Sequence, residues 1–166
     1  MRTASSACTA LLLGICALSS AAYAQTTSSS TTQKEAKMTV HAIGSFDVKL
    51  NPLSAYNKDD KSFGRMSIDK QLHGDLEATS KGEMLAYARL AYVALEQVTG
   101  SLRGRTGTFV LQHNATMVKG TPSLTITVVP LSGTGQLAGL DGKMNIIIAA
   151  DGKHSYEFDY TLPDAH

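Results

Sequence analysis

Hydrophobic and polar residues alternate along most of this chain with a period of two, the spacing of a strand that buries one face. The clearest run is Gly64 to Ala78. Met66, Ile68, Leu72 and Leu76 fall on one face, and Arg65, Ser67, Asp69, Gln71, His73, Asp75 and Glu77 on the other. Further strand-like runs are Thr39 to Leu50, Gly82 to Arg89, Ala91 to Leu102, Thr108 to Val118, Ser123 to Pro130, Gln136 to Ala149 and His154 to Leu162. The Gln136 run is expected to break at Asp141-Gly142 into two strands, and Asp151-Gly152 is a tight hairpin signal. Asn51 to Phe63, with Pro52, Asn57, Asp59 and Asp60, reads as a loop. Only Met84 to Glu96 has a helical rival, carried by Ala86, Ala88, Ala91 and Ala94. Tyr87, Tyr92 and Val93 favour strand there. The pattern predicts roughly eight strands, short connections and no helix.

A ten-residue pattern occurs twice. Gly100-Ser-Leu102-Arg-Gly104-Arg-Thr-Gly107-Thr-Phe109 matches Gly135-Gln-Leu137-Ala-Gly139-Leu-Asp-Gly142-Lys-Met144, and a looser copy starts at Gly74 and Leu76. Each copy joins two strand-like runs and reads as a hairpin tip. Repeated hairpins of this kind suggest a closed antiparallel sheet. A barrel of about eight strands has an interior that side chains fill or that holds one small ligand.

The N-terminus reads differently. Arg2, the apolar stretch Ala10 to Leu18 and Ala22-Tyr-Ala24 make residues 1–24 a secretory signal peptide. A lipoprotein reading on Cys16 is disfavoured because Ile15 stands where a small residue is needed. Residues 25–37, rich in Ser and Thr, read as a disordered linker, and residues 38–166 as the barrel domain. Secretion or delivery to the periplasm is expected. Cys8 and Cys16 both lie in the signal, so the exported chain has no thiol chemistry and no disulfide. Removing the signal removes Arg2 and no acidic residue, which leaves 14 basic against 14 acidic residues. No basic run points to nucleic acid or to anionic lipid, and no apolar span follows the signal.

Tyr92 to Glu96, Gly100 to His113, Val128 to Gly142, Gly152 to Tyr156 and Tyr160 to Leu162 together resemble the bacterial domain-of-unknown-function family numbered 3224. That family resembles the allene-oxide-cyclase-like β-barrels. The stretch Ser132-Gly-Thr-Gly135, Gly139 and Gly142 is also similar to the glycine motif of dirigent proteins and allene oxide cyclases. The resemblance implies an all-β fold, an eight-stranded antiparallel barrel of the allene-oxide-cyclase-like type. It implies no catalytic residue.

The repeat serves as a ruler for the interior. If Leu76, Leu102 and Leu137 point inward, alternation turns Lys70, Glu96 and His113 inward as well. These three are the candidate catalytic residues: Glu96 as a general base, with His113 or a tyrosine to polarise a carbonyl. Tyr92, Phe109, Tyr156 and Tyr160 are the candidate ligand-binding residues. The structural alternative is that Lys70 and Glu96 pair to offset their burial while the aromatics fill the core.

Other motifs carry little. Gly133-Thr-Gly135 has the wrong spacing for a dinucleotide loop, and no G-x-S-x-G occurs. His41, His73, His113, His154 and His166 lack ligand spacing, so no metal and no cofactor is expected. Asn114-Ala-Thr116 is a formal glycosylation sequon inside a strand-like run. Three functions remain open. One is a binder of a small, largely apolar molecule. A second is a cofactor-free isomerase or cyclase. The third is a structural or interaction protein with a filled barrel, pairing as a homodimer through an outer face.

Overall fold

The computed structural model describes residues 38–55, 59 and 62–163. The expected signal peptide and linker lie outside the described residues. Eight strands follow in order: β1 Val40–Pro52, β2 Phe63–Gly74, β3 Leu76–Tyr87, β4 Ala91–Leu102, β5 Arg105–Val118, β6 Thr121–Val128, β7 Asp141–Ile148 and β8 His154–Thr161. Each pairs antiparallel with its neighbour, and β8 pairs with β1 to close the barrel.

Two of the expected boundaries are corrected. The Gly64 to Ala78 run is not one strand. The chain reverses at Gly74, where φ is +107°, and Leu72 then pairs with Ala78 across a five-residue tip. Even-numbered residues therefore face even-numbered ones, and the inward parity survives the reversal. The Gln136 run does not give two strands. Gly135–Leu137 is a 3-10 turn, and only Asp141–Ile148 is a strand.

The repeated motif has two structural outcomes. In the first copy Arg103 and Gly104, with φ of 46° and 82°, form a two-residue turn between β4 and β5. Positive φ at both central positions matches the twist of the flanking strands. In the second copy the chain lies along the edge of β5 that β6 leaves uncovered. Ser132 Oγ and Thr134 Oγ1 each accept a 3.0 Å bond, from the Val110 and Thr108 amides, and Gln136 Oε1 accepts one of 2.9 Å from the Thr106 amide. These side chains satisfy donors that a neighbouring strand would otherwise take.

The three motif leucines, Leu76, Leu102 and Leu137, are all fully buried. With Leu140, Phe109, Phe158 and Tyr160 they seal one end. Phe109 stacks on Phe158 at 6.0 Å, and Phe158 meets Tyr160 at 5.3 Å.

The other end is built differently. Alternation turns Leu50, Met117, Leu124 and Ile148 inward, yet they are 46%, 39%, 40% and 64% exposed. The wall also opens there. Strands β6 and β7 pair only at Ile126↔Met144 and Thr127↔Lys143, so their segments nearest this end have no ladder between them.

Candidate functional site

Four polar side chains from consecutive strands meet inside the barrel: Lys70 on β2, Ser80 on β3, Glu96 on β4 and His113 on β5. Register brings them together. Lys70 pairs directly with Ser80, Glu96 lies opposite Gly82, and His113 lies opposite Ala94. Glu96 therefore sits diagonally from both Ser80 and His113, and Lys70 reaches it from two strands away across Ser80. Gly82 gives Glu96 room, since a Cβ there would lie 2.7 Å from the Glu96 Cα.

Glu96 is the hub, with no exposed surface. Its Oε2 accepts a 2.7 Å bond from Lys70 Nζ, and its Oε1 accepts one from the Ser80 hydroxyl. His113 Nε2 stands 3.1 Å from Oε2, but off the line of a hydrogen bond, and it has no other hydrogen-bond partner. Lys70 Nζ also sits 5.0 Å above the Phe46 ring, where the π face favours a cation. Burial pushes the Glu96 carboxyl up. The neighbouring His113, Lys70 and Ser80 outweigh burial and hold it at about 2, below its ordinary 4.5. A carboxyl held so low is a weak proton acceptor near neutral pH. The geometry is that of a neutralised internal brace, the pairing that the sequence offered as its structural alternative.

Nearer the open end lies a cavity of about 250 Å³. Met84, Ala86, Leu90, Tyr92, Met117 and Leu124 give it an apolar wall, and Arg89 is the one charged residue on it among the described residues. Burial, and then the Glu96 charge, push the Tyr92 phenol up, so it stays a donor. Of the four aromatics expected to bind a ligand, only Tyr92 lines this cavity. Phe109 and Tyr160 pack in the sealed end, and Tyr156 braces a hairpin: its hydroxyl accepts from the Leu76 amide at 2.9 Å and donates to the His73 carbonyl at 3.2 Å.

Lys70, Glu96 and His113 were legible from parity, but Ser80 was not. Alternation in the sequence ends a strand at Ala78 and puts Ser80 in a turn. Counting in twos onward from Leu76 reaches it. Arg89 carried no sequence signal, because only the barrel brings its hairpin tip beside Met117 and Leu124.

The family model described as "Protein of unknown function (DUF3224)" matches residues 42–160. Among solved structures the chain is similar to a protein of unknown function from that family in Shewanella oneidensis. The two share 46% identity at a TM-score of 0.70, over 77% of this chain and 100% of the other. No curated protein matches. The matched segment runs from within β1 into β8 and spans most of the chain, so the chain belongs to the DUF3224 family.

Proposed function

We propose that this protein binds a small, largely apolar molecule in the open end of its barrel. One observation carries the reading: Leu50, Met117, Leu124 and Ile148 face inward by strand parity and still reach solvent. Inward apolar side chains that the protein leaves uncovered mark a place for a partner. The cavity beside them, about 250 Å³, lies near the lower size of small-molecule sites, roughly 300 Å³. The cyclase or isomerase reading is weaker, since Glu96 is fully buried, engaged on both oxygens and held at about 2.

The test uses phenylnaphthylamine, a neutral apolar fluorophore, with residues 25–166. Saturable binding at one site is expected. Leu124→Asp should abolish it, while Leu95→Ser, on the outer wall, should leave it unchanged. Binding that follows Leu95 instead would place the site on the outer groove lined by Leu85, Val93 and Leu95.

We also propose export through residues 1–24. Intact mass and N-terminal sequencing of the protein from its native cells should find Gln25 first. A full-length cytoplasmic product would overturn this.

A further inference from the structure

We infer that the ligand is an amphiphile with an anionic head, its apolar body in the open end and its head on the Arg89 guanidinium. This rests on the binding reading above and adds the charge of the ligand.

Four arginines are described, and three are engaged. Arg65 pairs with Glu83 at 2.6 Å, Arg103 with Asp75 at 3.1 Å, and Arg105 donates to the Pro163 carbonyl at 2.8 Å. Arg89 has no hydrogen-bond or ion-pair partner among the described residues, and it is the arginine on the cavity wall. The described wall residues include no acid. The inward-facing carboxylate below them, Glu96, is already matched by Lys70. Among the described residues, the cavity therefore pairs an apolar wall with one cation, Arg89, that no acid matches. A planar guanidinium presents paired N–H groups that suit a carboxylate, sulfonate or phosphate.

The backbone holds that cation in place. Ala88 and Arg89 both have positive φ, 46° and 60°. Such a conformation is strained for a non-glycine residue, so surrounding bonds must hold it. The Leu90 amide donates to the Tyr87 carbonyl at 2.8 Å, and the Leu90 carbonyl accepts from the Met117 amide at 2.7 Å. The tip is thereby fastened to β5 with Arg89 beside the cavity.

The test compares two probes on one scaffold. Anilinonaphthalene sulfonate carries an anion, and phenylnaphthylamine does not. At low salt the sulfonate should bind about tenfold tighter, the size of one charge-assisted contact. Arg89→Gln should remove that preference and leave the affinity for the neutral probe unchanged. Arg89→Lys should keep part of it, and Lys143→Gln, at the sealed end, should keep all of it. A thermal melt of each variant separates lost binding from lost folding. Equal binding of both probes to the unaltered protein overturns the inference and leaves the apolar site standing. So does a sulfonate preference that survives Arg89→Gln. Binding of neither probe overturns both readings.

Discussion

Tyr156 lies across Gly44. The two are register partners between β8 and β1, and a Cβ at Gly44 would collide with the tyrosine ring and hydroxyl. The missing side chain lets the phenol reach over β1 to the tip of the next hairpin. There its oxygen takes the Leu76 amide at 2.9 Å. Tyr156→Phe keeps the ring and strands that buried amide, which should cost about 1–3 kcal/mol. A lower Tm with unchanged probe binding is the expected pair of results. Loss of probe binding at a temperature where the variant is folded would tie Tyr156 to the ligand site after all.

Lys70 and Glu96 should behave as one unit. Glu96→Gln leaves a buried ammonium without its anion, a change expected to destabilise by about 3–5 kcal/mol. Lys70→Met with Glu96→Gln removes both charges and should be closer to the unaltered protein than Glu96→Gln alone. Urea unfolding of the two single variants and the double variant gives the coupling. Simple additivity would mean that the 2.7 Å contact carries no interaction energy.

The same pair sets an acid limit. The Glu96 carboxyl falls from 4.5 to about 2 on folding. A depressed carboxyl contributes stability above its unfolded value and loses it as pH falls toward its folded value. The contribution should thus be complete above about pH 5 and vanish between there and about pH 2. A shift of this size corresponds to about 3 kcal/mol for a group with no exposed surface. Urea midpoints at neutral pH and at pH 3 should differ markedly in the unaltered protein. The difference should shrink in Glu96→Gln, and an equal difference in both proteins would assign the acid sensitivity to other groups.

The sequence showed the architecture because alternation is strict where one face is buried. Leu72, Leu76, Leu102, Phe109, Leu111 and Phe158 mark the inward parity almost without exception. Parity also placed Lys70, Glu96 and His113 inside. It did not say how high along the barrel each residue sits, which depends on stagger between strands. Phe109, Tyr156 and Tyr160 therefore read like ligand contacts although they lie in the packed part. The turn at Gly135–Leu137 read as strand because Leu137 and Leu140 are as apolar and as buried as strand residues. Its attachment to β5, made by the side chains of Ser132, Thr134 and Gln136, has no counterpart in periodicity.

The seam between β6 and β7 should be the most labile part of the wall. Only two residue pairs join these strands, at Ile126 and Thr127, whereas β3 and β4 pair continuously from Leu76↔Leu102 to Tyr87↔Ala91. Residues 121–125 keep partners only on β5, and residues 145–148 only on β8. Amides without a ladder partner exchange through local opening at low free energy, while those in continuous strands wait for larger openings. Hydrogen exchange followed by mass spectrometry should find peptides over 121–125 and 145–148 labelled well before those over β3 and β4. Saturating ligand should slow the first two selectively, because Leu124 and Ile148 border the open end. Uniform protection around the barrel would mean that the seam is closed in solution, and ligand would then have to enter past the hairpin tips alone.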